Sequence, residues 1–293
     1  MTCNQIPSFL KAKSFNKRPK TVVQICGGIG TQILGYSTFK TLQKDNPQCF
    51  LDTTYFNLSL DRPFALDPFG ISLDSLPTNP NLKRCITQRH NATSKIKRLA
   101  YRVMKKILML NMSYHKDNSP TRLKLALEFL ISNEAQPTFK LPNPIKKDAE
   151  QLLQSKNLSV NQYIPIHVRQ GDYLHSPDHI VVGTDFAMSL LNKGLISSHQ
   201  PLLWISDSPL QEEDIHRALP QWETHFYING DAHTSHALIR LGSTAIISNS
   251  TFSFTAALLS QKPFYSPNKW FSEVNDYLHK SLLDACKALV FIA

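Results

Sequence analysis

Residues 21–53 have the sequence TVVQICGGIGTQILGYSTFKTLQKDNPQCFLDT, and this stretch decides the class of fold. Its first six residues are mostly β-branched and predict a strand, whereas residues 31 to about 44 predict a helix. Asp45-Asn46-Pro47 ends that helix, and residues 49–53 predict a second strand. A strand, a glycine-rich turn, a helix and a strand form the unit of parallel sheets that carry helices on their faces.

The alternation of strands and helices continues beyond Asn157. Ser208 followed by Pro209 predicts the N-cap and first position of one of these helices. Between residues 63 and 156 the pattern supports only helices and loops. The predicted strands after Asn157 span residues 163–168, 202–206, 224–228 and 244–248, and the helices span about 185–193, 209–219, 232–241 and 251–260.

Four strand-helix units within about a hundred residues predict a doubly wound domain. We therefore predict an α/β fold with two Rossmann-like domains that face an interdomain cleft. The N-terminal domain would span residues 1–156 and the C-terminal domain residues 157–293. The cleft is the expected ligand site.

The positive charge is concentrated in one segment. The formal net charge is +10, and twelve basic residues but one acidic residue lie between Lys83 and Lys124. Within this segment, residues 94–110 (SKIKRLAYRVMKKILML) predict a helix with an apolar face opposite a basic face. Two interpretations are open: a solvated surface helix, or a helix held against anionic lipid headgroups or an anionic acceptor. No helix-turn-helix, zinc-finger or RNP-type motif occurs, so we expect no nucleic-acid partner.

The cysteine pattern and the hydropathy pattern predict the location. The five cysteines are scattered and never form a C-x-x-C pair, which favours a reducing environment. No apolar run approaches the roughly 18 residues of a membrane span, and the first twenty residues have no apolar core. We expect a cytoplasmic protein, with peripheral contact at the inner face of the cytoplasmic membrane if residues 94–110 bind lipid.

The first motif that predicts chemistry is Gly27-Gly28-Ile29-Gly30-Thr31-Gln32, directly after the first strand. Glycines allow the backbone to approach a ligand closely, and the N–H groups at the start of the following helix favour an anion. Ile33 stands where the third glycine of G-x-G-x-x-G would be, and no phosphate-binding P-loop occurs, so NAD binding and ATP hydrolysis are not supported. A tight turn without a ligand is the alternative.

The second motif is His167-Val-Arg169-Gln-Gly-Asp172-Tyr, at the end of the strand over residues 163–168. The planar guanidinium of Arg169 is suited to a diphosphate, and Asp172 could hold it in place. The alternatives are an Arg169–Asp172 pair that only closes a loop, and a buried His167 with satisfied hydrogen bonds. Asp207, after the next strand, is suited to accept hydrogen bonds from a ribose or a base N–H.

The third motif is Ser248-Asn249-Ser250-Thr251-Phe-Ser253, which passes from a strand to a helix. Hydroxyls and free N–H groups at a helix start form an anion site, aided by the roughly half charge of the helix dipole. Ordinary N-capping is the alternative. No D-x-D or H-E-x-x-H sequence predicts a metal, so Arg169 and the dipole would neutralise a diphosphate without one.

In this order and spacing, the three motifs resemble glycosyltransferase family 11, the α-1,2-fucosyltransferases, particularly the bacterial members that decorate surface polysaccharides. VVQICGGIGTQILGYSTFKTLQK resembles the family's V-x-Q-x-x-G-G-L-G-N-Q-M-F-Q-Y-A, and HVRQGDY resembles H-[IV]-R-R-G-D-Y. IISNSTFSFTAALLS resembles I-I-A-N-S-[ST]-[FY]-S-W-W-[AG]-A. The resemblance spans about residues 21 to 272 and is firm in the motifs.

The resemblance implies a GT-B architecture, transfer of fucose from GDP-fucose to a galactoside with inversion, and no metal or other cofactor. Arg169 would stabilise the departing β-phosphate, and Asp172 would orient Arg169. The C-terminal domain would bind the nucleotide sugar and the N-terminal domain would face the acceptor. The expected substrate-binding residues are Gly28, Gly30, Gln32, His167, Asp207, Asn249, Ser250, Thr251 and Ser253.

The catalytic base is open, and the candidates are Asp178 and His179, with solvation of their loop as the alternative explanation, and the favoured one, for each. The chain also departs from the family. Gln170 replaces the second arginine, Thr31 replaces an asparagine, and Phe254-Thr255 replace paired tryptophans. A different donor or acceptor, or a non-catalytic relative that binds a nucleotide sugar, are therefore the alternatives.

Overall fold

The structure is a computed structural model. It describes residues 20–57, 62–78, 112–115, 120–175, 181–196, 200–268 and 290–292. Strands and helices alternate along these residues. The strands are β1 (Lys20–Gln24), β2 (Cys49–Asp52), β3 (Met112–His115), β4 (Ile164–Val168), β5 (Leu202–Ser206), β6 (Thr224–Ile228), β7 (Ala245–Ile246), β8 (Phe264–Ser266) and β9 (Val290–Ile292). The helices are α1 (Ile29–Asp45), α2 (Pro120–Leu130), α3 (Ala135–Thr138), α4 (Asn143–Ser155), α5 (Thr184–Asn192), α6 (Glu212–Ala218), α7 (Ala232–Leu241) and α8 (Thr251–Ser260).

The described strands form two parallel sheets. One has the order β2-β1-β3 and the other the order β6-β5-β4-β7-β8-β9. The predicted α/β class with two parallel sheets is confirmed. In the larger sheet the direction of winding reverses between β4 and β7, and the loops that leave two such strands diverge to opposite faces. A crevice for a ligand is therefore expected at the carboxyl ends of β4 and β7.

Several predicted elements agree with the structure in both type and bounds, among them β5, β6, α7 and α8. Strand β3 lies between residues 63 and 156, where the sequence predicts only helices and loops. The prediction is therefore wrong at β3. It pairs with β1 in parallel, with Lys20 opposite Met112. Four residues are too few for a periodic pattern to identify a strand.

The predicted start of α6 is also wrong. The helix begins at Glu212 with Gln211 as its N-cap, three residues after the predicted first position. Ser208 instead accepts a hydrogen bond from the N–H of Gly171 over 3.1 Å. Its hydroxyl therefore fastens the loop after β4, and this tertiary contact replaces the local cap.

The hydrophobic core joins the two sheets. One cluster of buried side chains contains Val23 and Ile33 from the first sheet and its helix, and Leu203 and Ile247 from the second. Helix α1 packs against α2 and also against α8 of the larger sheet. The start of α1 is therefore held close to the larger sheet. The division into domains at residues 156 and 157 stays a prediction.

None of the described helices combines the length and the apolar character that crossing a bilayer requires. The basic segment over residues 94–110 lies outside the described residues. Its contact with an anionic membrane therefore stays a prediction.

Candidate functional site

A pocket of about 460 Å³ lies at the carboxyl ends of β1, β4, β5 and β7. This volume is in the usual range for a small-molecule site, about 300–1,000 Å³. Both sheets contribute to its wall. From the first sheet the lining residues are Gly27, Gly28, Ile29, Gly30, Thr31, Tyr55 and Arg62. From the second they are His167, Arg169, Asp172, Tyr173, Ile205, Ser206, Asp207, Gly230, Ala232, Ser235, Asn249, Ser250, Thr251 and Phe252.

Two helix N-termini meet at this pocket. Helix α1 starts after Gly28 and α8 starts after Ser250, and the Oγ1 atoms of Thr31 and Thr251 lie 3.2 Å apart. The N-cap residue of α1, Gly28, has no side chain that could cap the helix, so the first N–H groups can face an anion in the pocket. Each helix start carries roughly half a positive charge. Two of them at one pocket favour an anion.

The glycines of the first motif have different roles. Gly27 has φ 71°, the left-handed conformation that turns the chain from β1 into α1. At Gly28 a Cβ would meet nothing within 4 Å. At Gly30 a Cβ would overlap the carbonyl group of Thr251 and lie 2.5 Å from the backbone nitrogen of Phe252. Gly30 is therefore the position that lets α1 and α8 approach each other.

Arg169 is held by two carboxylates. Its Nη2 lies 2.7 Å from Asp172 Oδ1 and its Nη1 lies 2.7 Å from Asp207 Oδ2. The ring of Tyr173 also lies beneath the guanidinium, with Cζ 5.5 Å from the ring centroid. These contacts fix the direction of the planar donor group at the pocket wall.

Asp207 lines the pocket and pairs with Arg169, a partner that its expected role did not include. Its second oxygen, Oδ1, accepts the backbone N–H of Gln170 over 3.1 Å, so both of its oxygens have partners. The guanidinium holds Asp207 in place at the pocket wall, and its contact with a ribose or a base stays a prediction. The contact between Asp172 and Arg169 is what both the orienting role and the loop-closing alternative require, so the orienting role stays a prediction.

His167 is a buried and uncharged residue that lines the pocket. It is 6% exposed, its Nδ1 lies 2.8 Å from Ser248 Oγ, and its ring lies 5.2 Å from that of Phe252. Burial, assisted by the charge of Arg169, lowers the pKa of His167 to about 3. The imidazole therefore carries no charge near neutral pH, and one ring nitrogen donates while the other accepts.

This buried imidazole predicts a loss of stability in acid. An unfolded histidine has a pKa of about 6.5 and binds a proton below it, whereas folded His167 stays neutral down to about pH 3. Because the unfolded state binds more protons in this window, the free energy of unfolding falls as the pH drops below 6.5. The loss from His167 reaches about 2 kcal/mol at pH 5.

Between pH 7 and pH 5, we expect the free energy of unfolding of His167→Gln to fall by about 2 kcal/mol less than that of the wild type. Urea unfolding at both pH values measures the difference. The variant keeps a residual acid loss from His236, which both proteins contain and whose pKa burial lowers as well. An identical acid loss in both proteins would contradict the assignment.

The residues of the third motif divide between the pocket and the core. Ser250 caps α8 by accepting the N–H of Phe252 over 3.3 Å, and the carbonyl of Asn249 accepts the Tyr173 hydroxyl over 3.3 Å. Ser253 is completely buried, and its Oγ donates to the carbonyl of Ser250 over 3.3 Å. Ser253 lies behind the pocket wall, so its expected ligand contact is corrected to support of the helix start.

Gln32 is likewise a supporting residue rather than a ligand contact. It is completely buried, and its Nε2 donates to the carbonyls of Gly27 and Pro63 over 2.8 and 2.9 Å. Its Oε1 accepts the N–H of Ala65 over 2.8 Å. The side chain therefore joins the glycine turn to a loop after β2, because it satisfies backbone groups of both.

Arg62 also lines the pocket, although none of the sequence motifs includes it. Its Nη2 lies 3.4 Å from Asp172 Oδ2, so it approaches from the first sheet the carboxylate that holds Arg169. One signal was available: Arg62 is the single Lys or Arg between Lys44 and Lys83.

Asp178 and His179, the candidates for the base, lie outside the described residues, and their role stays a prediction. The carboxylates that line the described part of the pocket are Asp172 and Asp207, and both contact Arg169. In the part of the chain that the structure describes, no group of three or more His, Cys, Asp or Glu side chains is placed to hold a metal ion. Metal independence stays a prediction.

No protein-family model matches the chain, and no curated protein matches its sequence. The solved structure of POFUT1 in complex with GDP matches with a TM-score of 0.48 and 12% identity, over 82% of this chain and 94% of that chain. NodZ α-1,6-fucosyltransferase soaked with GDP-fucose matches with a TM-score of 0.44 and 13% identity, over 83% and 93%. The glycosyl transferase family 9 protein from Veillonella parvula matches with a TM-score of 0.46 and 11% identity, over 85% of this chain and 80% of that chain.

Proposed function

We propose that the chain is an inverting glycosyltransferase that transfers L-fucose from GDP-fucose to the 2-hydroxyl of a terminal galactoside in a surface glycan. The observation that carries this proposal is the meeting of two helix N-termini with the oriented guanidinium of Arg169 at one pocket. The resemblance of all three pocket motifs to the α-1,2-fucosyltransferases supports fucose as the sugar and GDP as its carrier.

The charges at the pocket are suited to a diphosphate. The carboxylates of Asp172 and Asp207 balance the arginines, so the starts of α1 and α8 supply the remaining positive potential, roughly one charge together. Small residues line the pocket after β5 and β6, namely Ser206, Gly230 and, within α7, Ser235. We assign this part of the pocket to the nucleoside, and the wall at Gly28 to the sugar.

The proposed transfer breaks one bond and forms another. The acceptor oxygen attacks C1 of fucose from the side opposite to GDP, and the bond between C1 and the β-phosphate oxygen breaks with its electron pair. The leaving GDP gains negative charge, which Arg169 and the helix starts stabilise. The acceptor proton passes to a base, for which Asp178 and His179 are the proposed candidates.

Release of GDP from GDP-fucose tests the function. We expect purified protein to release GDP faster when a β-galactoside is present, and the product to carry fucose on the 2-hydroxyl of galactose, as read by NMR. Shifts in melting temperature with a panel of GDP-sugars and UDP-sugars identify the donor, because a ligand of the folded state raises its stability. A protein that releases no GDP with any galactoside tried would contradict the proposed reaction.

A non-catalytic relative that binds a nucleotide sugar is the second candidate. It is favoured by the pairing of Asp172 and Asp207 with Arg169, because both carboxylates that line the described part of the pocket are directed at a guanidinium. Binding of GDP-fucose without turnover would support this candidate, and turnover would dismiss it. A different donor would give the largest melting-temperature shift in the panel of nucleotide sugars. A different acceptor would accelerate GDP release where the galactosides do not.

A further inference from the structure

The diphosphate site lacks one of the two arginines of the motif that it resembles. Gln170 stands in the second position, and it is not among the residues that line the pocket. Its backbone N–H instead donates to Asp207, which stabilises the loop after β4. A second cation does reach the pocket, from the opposite sheet, and it is Arg62.

The contact that Arg62 makes is weak and exposed. Its Nη2 lies 3.4 Å from Asp172 Oδ2, longer than the roughly 2.7–2.9 Å of a charge-assisted hydrogen bond. Its side chain is 45% exposed and that of Asp172 is 56% exposed. Exposed ion pairs contribute little to stability. Arg62 can therefore leave Asp172 for a stronger anion at small cost.

The loop that carries Arg62 is nevertheless firmly placed. Buried Gln32 bonds the carbonyl of Pro63 and the N–H of Ala65. From the other sheet, Nε2 of His233 lies 2.9 Å from the carbonyl of Ala65. Because both sheets hold residues 63–65, little backbone entropy is lost when Arg62 binds a ligand.

We infer that Arg62 binds the diphosphate of the donor from the side opposite to Arg169, and supplies the second cation that position 170 lacks. This inference rests on the proposed function. The two guanidinium groups flank the carboxylate of Asp172, so a diphosphate beside it would be contacted from both sheets. Binding of the donor would then connect the two sheets through its phosphates, in addition to the existing contact at Thr31 and Thr251.

The test compares GDP with guanosine in titration calorimetry, using the wild type, Arg62→Gln and Arg62→Lys. Guanosine has no phosphate and therefore reports the base and ribose contacts alone. We expect Arg62→Gln to bind GDP about ten to a hundredfold more weakly, and guanosine within about twofold of the wild type. Arg62→Lys keeps the charge and regains part of the GDP affinity.

Arg217→Gln is the matched control, because it removes the same charge from an exposed surface pair with Asp214 outside the pocket lining. It should bind both ligands as the wild type does. Equal GDP affinity in Arg62→Gln and the wild type would overturn the inference. An equal loss for GDP and guanosine would also overturn it, since it indicates a displaced loop. A wild type that binds no GDP would overturn the proposed function as well.

Discussion

Arg169→Gln is expected to weaken GDP binding at least a hundredfold and to abolish transfer of the sugar. Two charge-assisted hydrogen bonds to a phosphate contribute about 1.5–3 kcal/mol each, which together correspond to roughly 10²–10⁴ in affinity. The substitution also leaves Asp172 and Asp207 without their 2.7 Å partner beside the bound diphosphate. Titration calorimetry with GDP and the GDP-release assay measure the two effects.

Two further variants separate the loss of hydrogen bonds to the phosphates from the repulsion between the unpaired carboxylates and the diphosphate. Adding Asp207→Asn to Arg169→Gln removes one unpaired negative charge, and we expect part of the GDP affinity to return. Arg169→Lys keeps a point charge but loses the planar fork, so its affinity should be intermediate. If Arg169→Gln bound GDP as tightly as Arg217→Gln does, Arg169 would not contact the phosphates.

Gly30→Ala is expected to destabilise the protein by about 3 kcal/mol. The new Cβ would overlap the backbone of Thr251 and of Phe252, and neither peptide group can move aside as a flexible side chain would. The start of α1 must therefore separate from the start of α8, which also widens the pocket. Urea unfolding measures the stability, and the melting-temperature shift with GDP measures how well the widened pocket binds GDP.

Gly28→Ala is the matched control two residues away. Its φ of −78° suits any residue, and a Cβ there meets nothing within 4 Å, so we expect a stability within about 1 kcal/mol of the wild type. The methyl group would nevertheless project from the pocket wall and reduce ligand affinity. Equal destabilisation by both substitutions would show that the approach of the two helices is not what requires Gly30.

The positions of the motifs could be predicted because strand ends have a local signature. Runs of β-branched and apolar residues that stop at glycine, arginine or serine locate the ends of β1, β4 and β7, and parallel strands bring such ends to one edge. This is why Gly28, Arg169 and Thr251 were expected at one cleft, and all three line the pocket.

The partners of the polar side chains could not be predicted in the same way. Gln32 and Ser253 belong to the motifs but are completely buried and support the backbone. Asp207 follows a strand, as expected, but binds Arg169. Whether a motif residue faces a ligand or the core depends on atoms from distant parts of the chain, and hydrogen-bond satisfaction in the core decides it.

The amino-acid sequence alone determined the α/β class, the strands that bear the site and the identity of Arg169, because hydrophobic periodicity and turn residues act over a few neighbouring positions. The contacts between distant elements came from the folded chain: two helix starts meet at Gly30, two carboxylates hold Arg169, and Arg62 enters from the opposite sheet. These contacts join residues far apart in the chain, and Thr31 and Thr251, for example, are separated by 220 positions. Packing of both sheets into one core brings them together, and no local pattern records that packing.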